Sequence, residues 1–185
     1  MTGLRALVLA LSASVALVGA ARPPATVFDL SDALGKAAPA LTLTAADGSP
    51  LALLDVNGKP TYVFLFAGWC GPCQEAMPFV RSAYAKYGDR VNFVGVDVLE
   101  DASAARKAIA TAALPFPVAI YPIDQLDKVV APDVQLHAGT KYRIPADFLL
   151  DPGGVVRYAW HGLSVNDGGD PVDVLPDYLA KLGIQ

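Results

Sequence analysis

The sequence predicts an α/β sandwich, a mixed central sheet flanked by helices with a small β-hairpin at its N-terminal edge. Three observations predict it. The unbroken apolar run Tyr62–Phe66 suits a strand buried on both faces of a sheet, and the runs Val91–Val96 and Pro117–Tyr121 read as two further core strands. Helix-period segments separate the first two runs and the second pair, an alternation that layers helices on a sheet. Finally, Phe148–Leu150 and Val155–Trp160 flank the turn Asp151-Pro152-Gly153-Gly154, which adds an antiparallel hairpin.

The 185 residues hold one ordinary domain and an appendage. The appendage comes first. Arg5 precedes an apolar run from Ala6 to Val18, followed by Gly19-Ala20-Ala21. This is the layout of a secretory signal peptide over residues 1–20, cleaved after Ala20. The run falls short of the ~20 apolar residues of a membrane span, so a retained N-terminal anchor ranks second. No cysteine follows it, which argues against a lipid anchor. Residues 21–38 are expected to form a tether with a helical turn at Ser31–Lys36, and the domain proper to cover 39–185.

Within the domain, Leu41–Leu43 and Leu51–Leu53 flank the turn signal Asp47-Gly48 and predict the edge hairpin. Gly58-Lys59-Pro60 punctuates before the first core strand. A helix then runs from the cysteines to Tyr87 and stops at Gly88. Asp101 or Ser103 caps an Ala-rich helix reaching about Ala113. Residues 122–143 show no clear period. A last helix starts near Asp170-Pro171, carries Val174, Leu175, Tyr178, Leu179 and Leu182 on one face, and ends at Gly183. The net charge of −4, with no Lys/Arg run, excludes a nucleic-acid partner.

The only two cysteines stand in Trp69-Cys70-Gly71-Pro72-Cys73, between the first core strand and its helix. An exported pair is ordinarily a structural staple, but a staple gains most by closing a long loop. Cys70 and Cys73 close almost none, so redox cycling is the better reason for them. Cys73, Met77, Val80, Tyr84 and Tyr87 recur at four-three spacing, which starts a buried stripe at Cys73. Cys70 lies at the helix N-terminus, where free N–H groups and the dipole favour an anion. Such positions bring a thiol from about 8.5 into the ~3.5–7.5 range. Cys70 is therefore expected to attack a substrate disulfide and Cys73 to resolve the mixed disulfide from beneath. Pro72 suits the first helical turn, and Gly71 leaves the attacking sulfur open. Zinc would need two further ligands, and His137 and His161 have no zinc spacing. Covalent haem would need a histidine where Gln74 stands. No metal and no cofactor are expected.

Gly58-Lys59-Pro60, the apolar strand, Trp69-Cys70-Gly71-Pro72-Cys73 and Met77-Pro78 resemble thioredoxin-fold proteins. The similarity is greatest to exported TlpA/ResA-like thiol:disulfide oxidoreductases of the redoxin superfamily, and Asp47-Gly48 with Leu51-Ala52-Leu53 fits their N-terminal hairpin. The resemblance covers about residues 39–185 and implies a thioredoxin-like fold with a cis-proline loop facing the dithiol. Ile144-Pro145 fills that slot, with a cis bond and with Ile144 backbone groups pairing with an incoming polypeptide. Trp69 offers an exposed aromatic face to the same partner. The resemblance also implies a Cys70–Cys73 disulfide, protein thiol or disulfide substrates such as cytochrome c apoproteins or copper-site assembly factors, and a membrane-bound electron donor. The place of action would be the periplasm, free or anchored to the inner membrane.

Two departures matter. Thioredoxin carries a buried aspartate six residues before its first cysteine, where this chain has Phe64. TlpA/ResA-like proteins often carry a glutamate three residues after the second cysteine, where this chain has Ala76. Glu75 lies about 200° around the helix from Cys73 and is expected in solvent. The site is thus expected to lack the buried carboxylate that accepts the resolving thiol's proton. Two rival functions follow from the residues. A thiol peroxidase would need Pro and Thr where Tyr62 and Phe66 stand. A non-catalytic module could use the soft thiolates for copper(I). Tyr158 and Trp160 are expected to pack, while His137, His161, Lys141 and Arg143 are ordinary surface or hydrogen-bonded residues by default.

Overall fold

The computed structural model describes residues 33–38, 42–54, 57–98, 100–121, 144–161 and 171–183. The strands are β1 (Thr42–Ala45), β2 (Pro50–Ala52), β3 (Thr61–Phe66), β4 (Asn92–Val98), β5 (Val118–Tyr121), β6 (Ala146–Leu150) and β7 (Val156–His161). The helices are α1 (Gly71–Tyr87), α2 (Ala102–Ala112) and α3 (Pro171–Lys181). All seven strands form one sheet in the order β2-β1-β5-β4-β3-β6-β7. The β3–β4 and β4–β5 pairs are parallel and the remaining pairs antiparallel. The expected mixed sheet, edge hairpin and three helices are all present, with α1 ending at Tyr87 as its pattern predicted.

Alternation along the strands sorts the core into two halves. Tyr62, Phe64 and Phe66 of β3 face one side with Phe93 and Leu149, beneath Cys73, Met77 and Val80 of α1 and Leu175 and Leu179 of α3. Val63 and Leu65 face the other side with Val94, Val96, Phe148 and Leu150. β3 is buried at every position because both faces are covered, which is why its sequence carries no polar alternation.

Local chemistry fixes the ends of these elements. Asp101 caps α2 by accepting from Ser103 and Ala104 N–H. Asp47 accepts from the backbone and hydroxyl of Ser49, and Gly48 supplies the positive φ of 89° that the hairpin turn requires. Residues 33–38 dock on the sheet: Ala33 is buried, Gly35 N–H donates to Val156 O, and Val156 N–H donates to Lys36 O. The end of the expected tether is thus bonded to β7. Residues 122–143, and with them His137, Lys141 and Arg143, lie outside the described residues, as does the N-terminal segment through residue 32.

Candidate active site

The dithiol is built by the end of β3. After Phe66 the chain turns through Ala67-Gly68-Trp69, with Cys70 N–H bonded to Ala67 O. Gln74 then clamps the turn from the helix by donating to Gly68 O at 2.8 Å. The turn packs tightly against α2, since a Cβ on Gly68 would stand 2.5 Å from Ala108 Cβ. Cys70 is the N-cap of α1, and its sulfur accepts from Cys73 N–H at 3.2 Å. This uses one of the helix's free N–H groups on the Cys70 sulfur. No acidic side chain lies in the first turn to oppose a thiolate there.

Cys70 and Cys73 are joined by a disulfide with a Cα–Cα distance of 5.2 Å. Cys73 is fully buried and heads the inward stripe of α1, as its spacing predicted. Cys70 is less open than its helix-end position suggested, at 4% exposure in the disulfide. The reason is tertiary: the loop before β6 crosses over it, placing Ile144 O 3.5 Å from Cys70 Sγ. The Ile144–Pro145 bond is cis, as the resemblance implied. Pro145 is buried and Ile144 half-buried against both halves of the core. Gly71 and Pro72 are exposed, and Trp69 is the most open large apolar side chain described, at 63%. The fold therefore gathers Trp69, Cys70, Gly71, Pro72, Cys73, Ile144 and Pro145 from two distant segments.

Phe64 and Ala76 are buried core residues, and Glu75 faces solvent as expected. The expectation of no buried carboxylate near the site nevertheless needs correction, because two lie on the sheet face beneath the helices. Asp97, on β4 beside Phe66, is 1% exposed. Burial, and then the negative charge of Glu100, push its carboxyl well above the usual range. Asp97 Oδ1 and Oδ2 and Glu100 Oε2 are buried without a hydrogen-bond partner, a pairing that calls for a shared proton. Asp147, on β6 and paired in register with Phe64, is 2% exposed. Burial raises its carboxyl to about 7, against a lowering hydrogen bond from the Tyr62 hydroxyl. Both acids sit alone inside apolar strand runs, which is the sequence signal that marks them. In the peroxidase pattern Pro-x-x-x-Thr-x-x-Cys the Pro and Thr stand seven and three residues before the cysteine. The positions to compare are therefore Val63 and Ala67 rather than Tyr62 and Phe66, and both are buried apolar residues. Among the described residues no cluster of three or more His, Cys, Asp or Glu side chains could hold a metal ion.

With this geometry in place, similarity to known proteins is informative. Residues 33–168 match the Redoxin family. The thiol-disulfide oxidoreductase ResA of Geobacillus kaustophilus is 31% identical over 126 residues, 68% of this chain and 67% of that protein. Its counterpart in Bacillus anthracis is 31% identical over 124 residues, and the match spans 66% of each chain, just under two thirds. A solved Chlorobium tepidum structure, assigned as thiol:disulfide interchange protein DsbE, superposes with a TM-score of 0.64 at 27% identity, covering 80% of this chain and 97% of that one. A dithiol at a strand-to-helix turn, facing a cis-proline loop on a mixed sheet, and these matches agree: the chain belongs to the Redoxin family, as a thioredoxin-fold thiol:disulfide oxidoreductase of the ResA/TlpA-like kind.

Proposed function

We propose that this chain works outside the cytoplasm, in the periplasm, as a reductant of disulfides in other proteins. Residues 1–20 serve as its export signal or retained anchor and residues 21–38 as the approach to the domain. One observation carries the reading: Cys70 caps α1 under the Ile144 carbonyl while Cys73 lies fully buried behind it. Unequal burial gives the sulfurs unequal work. Cys70, stabilised as a thiolate by the helix end, attacks the substrate disulfide; Cys73 is reachable only from Cys70 and resolves the mixed disulfide. Trp69 and Pro72 form the exposed apolar rim on which a polypeptide lies, and the Ile144 backbone pairs with it as an added strand. The Gly-Pro dipeptide between the cysteines supports the reducing direction. A reductant, itself a membrane-bound dithiol protein, would return the pair to the reduced state. Cytochrome c apoproteins and copper-site assembly factors are substrates of the fitting chemistry, each presenting a cysteine pair that must be reduced before it is loaded.

Reduction of insulin disulfides with dithiothreitol as donor tests the activity. Wild type should accelerate precipitation of the insulin B chain and Cys70→Ser should not. Equal rates for the two proteins would overturn the reading.

A further inference from the structure

The face of the sheet beneath α1 carries a row of paired residues that runs across four strands. Gly95 of β4 pairs with Phe64 of β3, Phe64 with Asp147 of β6, and Asp147 with Trp160 of β7. Phe64 and Cys73 belong to one packed cluster. Asp147 begins only two residues after Pro145, on the strand that the disulfide-covering loop opens into. The one buried acid of β6 therefore stands a single strand away from Phe64, on the helix-facing side where Cys73 is buried.

Resolution of a mixed disulfide sets a demand on that region. The Cys73 thiol must lose its proton where water does not reach, and burial alone keeps a thiol protonated. We propose that the Asp147 carboxylate takes the proton of the Cys73 thiol during resolution and returns it when the protein disulfide is reduced. The proposal rests on the roles given to Cys70 and Cys73 above. In the forward step the Cys73 S–H proton passes to Asp147 and the Cys73 thiolate attacks Cys70 Sγ. The Cys70–Cys73 bond forms as the Cys70–substrate S–S bond breaks. The substrate sulfur leaves as a thiolate and is protonated by solvent. Two electrons pass from the protein dithiol to the substrate disulfide, and the chain ends oxidised.

The surroundings suit a base that works near neutrality. Tyr62 donates its hydroxyl to Asp147 Oδ1, which fixes the carboxyl and favours its charged form. Among the described residues, the other titratable groups around that face are Tyr158 on β7, Tyr178 and Lys181 on α3, Asp97 on β4 with Glu100 beside it, Tyr84 and Tyr87 on α1, and the sulfurs of Cys70 and Cys73. Lys181 lies over the Tyr158 and Tyr178 rings and is exposed, so its charge is spent in solvent and on the rings. Trp160 keeps its indole N–H buried with no acceptor. Desolvation therefore prevails over any compensating charge and leaves Asp147 near 7, where it can exchange a proton with a thiol.

Ellman's reagent separates the steps on the reduced full-length chain. The first thionitrobenzoate is released by Cys70 attack and the second by Cys73 resolution. Asp147→Asn should slow the second release about 100-fold near pH 6, with the gap closing above about pH 9 as the thiol ionises unaided. Its first release should stay within about twofold of wild type. Tyr62→Phe, which keeps the base but removes its hydrogen bond, should move the rising limb of the second step to higher pH and retain its plateau. A wild-type profile for Asp147→Asn, or equal slowing of both steps at every pH, would overturn the proposal. Cys70→Ser, whose remaining thiol is fully buried, should react with the reagent at least about 100-fold more slowly than Cys73→Ser. Equal rates for these two variants would instead overturn the assignment of Cys73 as the resolving thiol.

Discussion

The sulfur of Cys70 lies 3.5 Å from the carbonyl oxygen of Ile144, a residue 74 positions away in the chain. The loop that opens β6 thus roofs the disulfide and leaves Cys70 at 4% exposure, with Cys73 sealed behind it. In the proposed exchange, a partner held on Cys70 is released by attack of the neighbouring Cys73.

From this follows a trapping experiment. Expressed with its own N-terminus, Cys73→Ser should accumulate mixed disulfides on Cys70 with cysteine-bearing exported proteins, visible on non-reducing gels and identified by mass spectrometry. The Cys70→Ser/Cys73→Ser double variant should accumulate none. Equal adduct patterns from the two would count against protein substrates.

Gly68 is a packing requirement of the active-site turn. An added Cβ would lie 2.5 Å from Ala108 Cβ and 3.4 Å from Glu100 Oε1. Neither α2 nor the clamped turn has a flexible tip to withdraw. Gly68→Ala should destabilise by about 1–3 kcal/mol in urea unfolding. Ala108→Gly alone should cost about 1 kcal/mol as a helix substitution. The double variant should be more stable than the sum by about 1 kcal/mol, and strict additivity would show that the two sites do not meet.

Buried acids give stability an unusual pH dependence. Burial raises Asp147 from 3.8 to about 7, and Asp97 moves in the same direction through burial and Glu100. Between about pH 4 and 7 the unfolded chain releases protons that the native chain retains. Stability contributed by these groups is complete below about pH 4 and is lost as pH rises through the native values. For Asp147 the loss is roughly 4 kcal/mol across that window. Asp147→Asn should flatten the fall, so that its urea midpoint exceeds that of wild type above about pH 7. A wild-type midpoint that rises over the same range would contradict the burial of both acids.

Asp101 carries the start of α2, whose Ala-rich sequence has only Ala105 and Ala112 fully buried. Its carboxylate accepts from Ala104 and Ser103 N–H, and those bonds hold it below the usual carboxylate range. Asp101→Ala should cost about 1 kcal/mol, and Asp101→Ser should recover most of it, by urea unfolding.

The sequence by itself determined the sheet's central strands, all three helices, the edge hairpin and the dithiol. Each of these rests on local rules: apolar runs for buried strands, 3.6-residue spacing for α1, turn residues at Asp47-Gly48 and Asp151-Pro152-Gly153-Gly154. The unequal burial of Cys73 was legible for the same reason, since helix phase needs no long-range information. Tertiary structure decided what local rules do not reach. Strand order placed β6 beside β3, and only that pairing brings Ile144 over Cys70 and Asp147 next to Phe64. A single aspartate in a strand looks the same from its neighbours whether it faces solvent or a sealed core. Which face is sealed depends on the helices that the rest of the chain packs there.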